Sequence, residues 1–182
     1  SLEKSLEGSE IMILSVPSDH AEEVLEKIPE NFRHLPFIIA TKGLFTSKPF
    51  QNFENISILS GPAFAQDLNS CKPTTLTATS KLIIDLFQTS WLKFDYTDDV
   101  DGVLLCGTFK NIYAIEAGRR GLKKDTDNFD TYIKEVCAEL KTILSENLCD
   151  PKTVDLACGI GDMILTCSSD TSRNYQFGQN LA

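Results

Sequence analysis

The segment PFIIATKG, residues 36–43, is a short apolar run with a polar ending, and it decides the class of fold. The run from Phe37 to Thr41 does not alternate between apolar and polar residues, which predicts a strand buried on both faces of a parallel sheet. Lys42 and Gly43 follow it at once. Ligands of open α/β sheets bind beyond the carboxyl ends of the strands, so Lys42 is better placed than most lysines to meet one.

Similar runs on either side of this segment predict further strands, and the sequence between them predicts helices. One run ends at Pro17, and another is closed by Gly61 and Pro62. A helix is expected after Ser18 or Asp19, either of which can cap it. Alternating strands and helices indicate an α/β layer with a mainly parallel sheet. The predicted strands are 11–16, 37–41, 56–60, 74–79 and 92–97, and a further helix is predicted near 80–90.

The pattern changes after about residue 98, where helical stretches follow one another without a strand. Asp150 and Pro151 make a good cap and first-turn pair for one of these helices. The predicted fold class is therefore an α/β part, residues 1–97, followed by an all-α part, residues 98–182. The helices predicted for the second part are about 100–118, 129–147, 151–158 and 162–167, with a last one that starts near Ser172.

Composition and charge exclude several classes of protein. Of the 182 residues, 42% are hydrophobic and 24% are charged, which is enough apolar material for a packed core. The 17 basic residues are outnumbered by 26 acidic ones, giving a net charge of −9 and a pI near 4.7. This balance argues against a general nucleic-acid binder, which needs a basic surface, but a few local cations can still bind a small anion. No apolar run approaches the roughly 20 residues of a membrane span, so none is expected.

The cysteines and the first residues bear on metal binding and on compartment. No Cys-x-x-Cys pair occurs, and no histidine lies at metal-ligand spacing from a cysteine, so no metal site is expected. Cys71, Cys106, Cys158 and Cys167 lie in or beside apolar runs and are expected to be buried free thiols. Residues 1–10 carry no secretory signal pattern. Together these features predict a reducing, cytoplasmic setting.

One predicted helix carries a face of small residues interrupted by one lysine and one asparagine. Lys110 and Asn111 share the 3.6-residue period with Gly107, Ala114 and Gly118. Such a face lets a ligand approach the helix closely, with Lys110 as a proton donor or acceptor whose pKa is tuned by burial and neighbours. The same face is also typical of close helix–helix packing, with the Lys110 side chain extended to water.

Two further segments carry polar groups at helical spacing. Asp162 and Thr166 lie one turn apart, where a carboxylate and a hydroxyl can orient a lysine and a substrate hydroxyl. The alternative is that Asp162 only charges the first turn of its helix. Thr171 or Ser172 can cap another helix, whose first turn then holds Arg173 and Asn174. There a guanidinium beside free backbone N–H groups suits a phosphate. The alternative here is an ordinary capped surface helix with an exposed arginine.

In their order and spacing these segments resemble the bacterial type of NAD(P)-dependent glycerol-3-phosphate dehydrogenase. The resemblance spans most of the chain, and its last two segments are the most specific, because few other families combine them at this separation. It implies a Rossmann-like NAD(P)-binding domain within residues 1–97 and a helical substrate domain within 98–182. The matching segments are ILSVPS (13–18), IATKGL (39–44), ILSGPAFAQDL (58–68), GTFKNIYAIEAG (107–118) and GIGDMILTCSSDTSRNYQFG (159–178).

The resemblance also implies roles for individual residues. Lys110 corresponds to the catalytic lysine that exchanges a proton with the substrate hydroxyl, and Asp162 acts with it. The implied reaction is hydride transfer between NAD(P)H and dihydroxyacetone phosphate to give sn-glycerol 3-phosphate for phospholipid synthesis, in a cytoplasmic family that is commonly dimeric. NAD and NADP are both open as the cofactor. The implied substrate-binding residues are Lys42, Gly61, Asn111, Thr166, Ser172, Arg173 and Asn174, and the implied cofactor-binding residues are Lys42, Ala65 and Arg173.

The sequence departs from the family pattern in four places. It has no G-x-G-x-x-G segment to hold the cofactor pyrophosphate, so these 182 residues are expected to bind dinucleotide poorly and to turn over little by themselves. The stretch between Lys42 and Gly61 is short, which predicts a trimmed α/β layer. Ala63 stands where the family usually has Ser or Thr. Bulkier residues replace small ones within 127–139, and the family's carboxyl-terminal helices are missing after Ala182.

These departures leave two principal hypotheses. One is a fragment of a working dehydrogenase, and the other is a diverged, non-catalytic relative that acts as an interaction protein. The proposed catalytic and phosphate-binding residues are all in place, whereas random decay is expected to change some of them, so the first hypothesis is favoured. A related dehydrogenase acting on another hydroxy acid is disfavoured, because the Ser-Arg-Asn segment at 172–174 suits a phosphorylated substrate.

Overall fold

A five-stranded sheet forms the first half of the chain in the computed structural model, which describes residues 2–44 and 46–182. The strands lie side by side in chain order, with Leu14 opposite Ile39 and Ile39 opposite Ile58. The first three strands are parallel, and so are the last two. The mainly parallel sheet expected from the buried runs is thus confirmed. The strands are β1 (Met12–Leu14), β2 (Pro36–Ile39), β3 (Asn55–Ser60), β4 (Thr74–Ala78) and β5 (Leu92–Tyr96).

One strand contact differs from the rest of the sheet. β3 and β4 pair antiparallel, through Leu59 opposite Ala78 and Ser60 opposite Thr77. The connection between them contains only one short helix, α3 (Ala65–Asn69). A parallel pairing needs a full crossover connection, usually with a longer helix, so the chain returns in the opposite direction instead.

The helices around the sheet are short. They are α1 (Leu2–Leu6), α2 (Ala21–Glu26), α3 and α4 (Lys81–Phe87). Ser80 caps α4, because its side chain accepts a hydrogen bond from the Leu82 amide. The expected cap of α2 by Ser18 or Asp19 is wrong. Both residues lie in a 3₁₀ turn, Ser18–His20, that leads into α2, and neither side chain accepts a capping hydrogen bond there.

The segment between β2 and β3 is held by aromatic packing. Of its described residues, which exclude Phe45, those at Lys48–Phe50 form a 3₁₀ turn. The Phe37 ring on β2 meets Phe53 at a centroid distance of 4.9 Å and Phe50 edge-on at 6.3 Å. These aromatic contacts bury much apolar surface in a short segment.

The second half of the described chain is helical. α5 (Val100–Arg119) and α6 (Asp127–Glu146) are followed by α7 (Asp162–Ser168) and α8 (Arg173–Gln179). The prediction that Asp150 and Pro151 form a cap and first-turn pair is confirmed, since the Asp150 carboxylate accepts a hydrogen bond from the Lys152 amide at 2.9 Å. The single helix predicted at 151–158 is wrong, because the chain forms a 3₁₀ turn, Pro151–Asp155, and then a π-helical turn, Ala157–Gly161.

Both halves share one hydrophobic core, which fixes the helices against the sheet. Leu14, Phe37 and Ile58 from the strands belong to the same buried cluster as Val103 from α5 and Leu140 from α6. A contiguous core of this kind makes the elements around the sheet edge a rigid frame for a site. The fold class is therefore an α/β layer followed by an all-α region, as the sequence predicts.

Four of the six cysteines are buried, and all six are free thiols. Cys106, Cys158 and Cys167 are buried free thiols as expected, and Cys137 is buried as well. The expected burial of Cys71 is wrong, because it lies at an exposed turn with a φ of 52°. Within 2–44 and 46–182, no helix has both the length and the apolar character needed to cross a membrane. The same residues present no group of three or more His, Cys, Asp or Glu side chains arranged for a metal ion.

Candidate active site

Lys42 and Gly61 lie together at the carboxyl ends of β2 and β3. The Lys42 Nζ donates to the Gly61 carbonyl oxygen at 2.8 Å. Gly61 has a φ of +140°, and a Cβ atom built on it would lie 3.0 Å from the Leu76 Cα. A side chain would therefore be both strained and crowded here. Because β2 and β3 are adjacent and parallel, their carboxyl ends bring Lys42 and Gly61 to the same edge of the sheet. Lys42 was expected at this edge because it follows a predicted strand.

A buried carboxylate joins Lys42 to a second lysine. One oxygen of Asp162, Oδ2, lies 2.7 Å from Lys42 Nζ, and the other, Oδ1, lies 2.8 Å from Lys110 Nζ. Asp162 is 1% exposed and Lys110 is 5% exposed, whereas about a third of the Lys42 side chain reaches solvent. Asp162 thus compensates two positive charges at once, one deep and one near the surface. It does more than charge the first turn of α7, which was the alternative interpretation.

The environment of Lys110 lowers the pKa of its ammonium group to about 8. Burial is the main cause, because removal from water disfavours the charged form. The carboxylate of Asp162 opposes this shift, and the second positive charge of Lys42 adds to it. An amine that is protonated at neutral pH, yet gives up its proton far more readily than a surface lysine, suits general acid–base chemistry.

Thr166 links the lysine and the carboxylate within one turn of α7. Its hydroxyl donates to the Asp162 main-chain oxygen at 2.6 Å and lies 3.3 Å from the Asp162 Oδ1. The Lys110 Nζ donates to the same hydroxyl at 3.4 Å. The predicted one-turn spacing of Asp162 and Thr166 therefore places both beside Lys110.

The start of α7 is tied to the sheet by two hydrogen bonds from the preceding π-helical turn. The Ala157 amide donates to Asp95 Oδ2 at 2.9 Å, and the Cys158 amide donates to Thr77 Oγ1 at 2.9 Å. Asp95 lies on β5 and Thr77 on β4. These contacts break the helix predicted at 151–158, because they hold the turn in a geometry that a regular helix does not allow. They fix where Asp162 begins the next helix.

The other end of the site is formed where α8 begins. Asn174 Nδ2 donates to Asn111 Oδ1 at 2.9 Å, which joins α8 to α5 one residue after Lys110. Of the two possible caps of α8, Thr171 and Ser172, it is Ser172 that caps the helix, by accepting a hydrogen bond from the Tyr175 amide at 3.3 Å. Arg173 is exposed, and no carboxylate of the described residues pairs with it. Its guanidinium is thus available to an anion from solution.

One open cavity of about 300 Å³ connects the two ends. Most of the residues predicted for the site line it, and Gly61 meets it through the hydrogen bond to Lys42. Ala65 does not line it but lies exposed at the first turn of α3. Ala63, Phe64 and Thr171 also line it, and no helical or strand period marked them for this role. The predicted residues that line the cavity are Lys42, Lys110, Asn111, Asp162, Thr166, Ser172, Arg173 and Asn174.

The small face of α5 serves both as a cavity wall and in helix packing, but the Lys110 side chain, which is 5% exposed, does not extend to water as the packing interpretation expects. At one end, Lys110 and Asn111 face the cavity. At the other end, Gly118 packs against α8 so closely that a Cβ atom would lie 2.0 Å from the Tyr175 carbonyl oxygen. The face is therefore a ligand surface near Lys110 and a helix-packing surface near Gly118.

This fold and site define a two-part α/β and α protein, in which the edge of a sheet meets a helical region around one cavity. The chain belongs to the NAD-dependent glycerol-3-phosphate dehydrogenase family, whose amino-terminal model matches residues 1–83 and whose carboxyl-terminal model matches residues 99–182. The glycerol-3-phosphate dehydrogenase of Desulfotalea psychrophila is 29% identical over 204 residues, covering 100% of this chain. That of Ruthia magnifica is 34% identical over 195 residues, covering 97% of this chain.

Solved structures show the same relationship. The crystal structure of glycerol-3-phosphate dehydrogenase from Coxiella burnetii superposes with a TM-score of 0.87 at 27% identity, covering 100% of this chain and 61% of that one. The enzyme from Saccharomyces cerevisiae shares the fold, with a TM-score of 0.84 at 18% identity and coverage of 60% of its length. The chain spans 60% of the length of the Desulfotalea and Ruthia relatives.

Proposed function

We propose that the protein transfers a hydride between NAD(P)H and dihydroxyacetone phosphate, giving sn-glycerol 3-phosphate. One observation carries this proposal. A buried Lys–Asp–Lys network, Lys42–Asp162–Lys110, lies in the same cavity as Arg173 and Asn174. The network suits proton transfer at a reacting oxygen, and the arginine end suits a phosphate. Both ends together match a small ketone that carries a phosphate group.

The chain's own residues handle the proton of this reaction. As the ketone is reduced, its oxygen gains negative charge, and the Lys110 ammonium donates a proton to that oxygen. Asp162 holds Lys110 in place through the 2.8 Å contact, and Thr166 shares the same ammonium. Asn111, beside Lys110, orients the reacting end of the substrate. In the reverse direction neutral Lys110 accepts the proton, which its lowered pKa makes accessible near pH 8.

The phosphate is bound at the opposite end of the cavity. Arg173 supplies a guanidinium, whose planar donors match phosphate oxygens, and Asn174 supplies an amide. Ser172 lies directly before them at the start of α8. Ala63 offers no hydroxyl to the substrate, so the charged contacts carry more of the binding than they would with Ser or Thr at this position.

The residues at the sheet edge fit the reactive end of a nicotinamide cofactor. Lys42, Ala63 and Phe64 border the same cavity as Lys110, and they follow the carboxyl ends of β2 and β3. When bound, the cofactor supplies the hydride. In this role Lys42 contacts both substrate and cofactor, while Ala65 and Arg173 contact the cofactor. No G-x-G-x-x-G segment occurs in the sequence to hold the pyrophosphate.

We also propose a division into two domains, a homodimeric state and a cytoplasmic location. Residues 1–97 are assigned to the NAD(P)-binding domain and residues 98–182 to the substrate domain, in line with the change from sheet to helices. A cytoplasmic homodimer that supplies glycerol 3-phosphate for glycerophospholipid synthesis is consistent with the family, with six free thiols and with a net charge of −9. That charge gives no support to a nucleic-acid partner.

The test compares a phosphorylated and an unphosphorylated ketone. The protein purified from its native source is mixed with NADH or NADPH and either dihydroxyacetone phosphate or dihydroxyacetone. We expect rapid oxidation of the reduced cofactor with the phosphorylated ketone only. The Arg173→Ala variant should raise KM for dihydroxyacetone phosphate by about ten- to a hundredfold, in line with the loss of a charge-assisted contact of ~1.5–3 kcal/mol.

One control variant sharpens this comparison. Arg119→Ala removes an exposed arginine that pairs with Glu116 away from the cavity, and KM should stay unchanged. A KM that Arg173→Ala leaves unchanged contradicts the phosphate role of Arg173. Absence of any ketone-dependent oxidation contradicts the proposed reaction itself.

A further inference from the structure

Helices α5 and α8 cross at a point where each contributes a glycine. A Cβ atom built at Gly118 on α5 would lie 2.0 Å from the Tyr175 carbonyl oxygen, and one built at Gly178 on α8 would lie 1.9 Å from the Ile115 carbonyl oxygen. Ordinary contact of a Cβ atom begins at 3.4–4 Å. The two backbones therefore touch directly, and no other residue type fits at either position without separating the helices.

The crossing joins the two ends of the candidate active site. α5 carries Lys110 two turns before Gly118, and α8 carries Arg173 and Asn174 just before the crossing residues. The Asn111–Asn174 hydrogen bond joins the same two helices, and the Tyr175 hydroxyl donates to the carbonyl oxygen of Leu122, in the segment that follows α5. The distance between the arginine end and the lysine end thus depends on how closely the backbones approach.

We propose that the Gly118–Gly178 crossing positions α8 against α5 and so sets the distance between the phosphate-binding residues and Lys110. Through this distance it determines which substrates fit. This inference rests on the proposed function. In a three-carbon ketone phosphate, covalent bonds fix the spacing between the phosphate and the carbonyl. A site whose ends are held at one spacing accepts that substrate, whereas a displaced α8 separates the phosphate contacts from the reacting group. Gly118 and Gly178 contact neither the phosphate nor the reacting group of the substrate. They act only through the helices that carry them.

The Gly178→Ala variant tests the crossing. We expect KM for dihydroxyacetone phosphate, and the Kd of glycerol 3-phosphate measured by calorimetry, to rise by about tenfold or more, since displacements of about 1 Å carry effects up to ~10²-fold. The kcat/KM for dihydroxyacetone, which lacks the phosphate, should change by less than about twofold, because Lys110 lies on α5 and Asp162 on α7 and neither belongs to the displaced α8. A merely structural role would lower both substrates' kcat/KM together.

Matched variants keep the test decisive. Gln179→Ala changes the neighbouring exposed residue of α8 and should leave both ligands unaffected. If Gly178→Ala does not fold, Tyr175→Phe decides, because it removes only the hydroxyl that ties α8 to Leu122, and it should raise the Kd of glycerol 3-phosphate about threefold. Unchanged Kd values, or an equal loss for both ketones, overturn the inference.

The proposed function can fail separately. If the unmodified protein does not oxidise NAD(P)H with dihydroxyacetone phosphate, the reaction is wrong. The calorimetric Kd of glycerol 3-phosphate still decides whether the crossing sets the phosphate-binding end. A tenfold weakening by Gly178→Ala supports the crossing in that case, and an unchanged value contradicts it.

Discussion

Replacement of Lys110 by alanine is expected to lower kcat for the reduction of dihydroxyacetone phosphate by about a hundredfold or more. The reason is the position of the ammonium. It is 5% exposed, is held 2.8 Å from Asp162 and has a pKa lowered by burial to about 8. Water that enters the cavity in place of the side chain is a much poorer proton donor at neutral pH. Steady-state kinetics on the protein as its native source produces it, with saturating cofactor, reports kcat and KM separately.

Two further lysine variants identify the cause of that loss. Lys110→Arg keeps the positive charge but cannot give up its proton, since the guanidinium stays protonated in proteins. We expect it to be nearly as slow as Lys110→Ala. Lys141→Ala removes a surface lysine paired with Asp155, and its kcat should match that of the unmodified protein. A change in KM alone, or full activity of Lys110→Arg, contradicts the role of Lys110 as proton donor.

The Asp162→Asn variant is expected to lose both stability and activity. The amide keeps the shape of the carboxylate but leaves two ammonium groups, Lys42 and Lys110, without their shared counter-charge. Breaking a buried ion pair on one side typically costs about 3–5 kcal/mol of unfolding free energy. Without the carboxylate, the pKa of Lys110 falls further, so less of the acid is present at pH 7 and kcat for reduction drops. Urea unfolding and steady-state kinetics measure the two effects.

A second aspartate provides the comparison for Asp162→Asn. Asp155 also pairs with a lysine, Lys141, at 2.7 Å, but both of these side chains are exposed. Exposed pairs contribute little to stability, so Asp155→Asn should leave the urea midpoint and kcat nearly unchanged. Equal destabilisation by the two substitutions would show that burial of Asp162 is not the cause.

Much of the sheet follows from local sequence. Unbroken apolar runs, such as the one from Phe37 into the Lys-Gly pair, have no stable alternative to burial between other elements. The structure places β2 and β3 at the predicted positions, and Lys42 therefore meets Gly61 at one sheet edge. The antiparallel turn from β3 to β4 does not follow in the same way, because α3 is too short to leave a clear helical period.

The π-helical turn at Ala157–Gly161 does not follow from the local sequence. Its geometry depends on Asp95 and Thr77, which lie far away in the sequence and capture its amide groups. The exposure of Cys71 has a similar origin, since a turn with a positive φ, and not the flanking residues, decides it. In both places the deciding contact is non-local or conformational, and residue type alone carries no signal of it.

Residue patterns alone predict only part of the site. The face of α5 with Lys110 was compatible with a ligand or with helix packing, and the structure uses it for both. The family resemblance, carried by the segments around Lys110 and Asp162, is what favours a ligand beside Lys110. Phe64 and Thr171 border the cavity through loop geometry, which no periodic pattern reports.

The proposed role of Lys110 is to exchange the proton of the reacting oxygen, and the pH dependence of kcat in both directions tests this role most directly. Reduction needs protonated Lys110, so its kcat should fall as pH rises through about 8, while oxidation of glycerol 3-phosphate needs the neutral amine and should slow as pH falls through the same range. Lys110→Arg should lose both transitions. Two directions that titrate alike, or transitions that survive Lys110→Arg, would contradict the account.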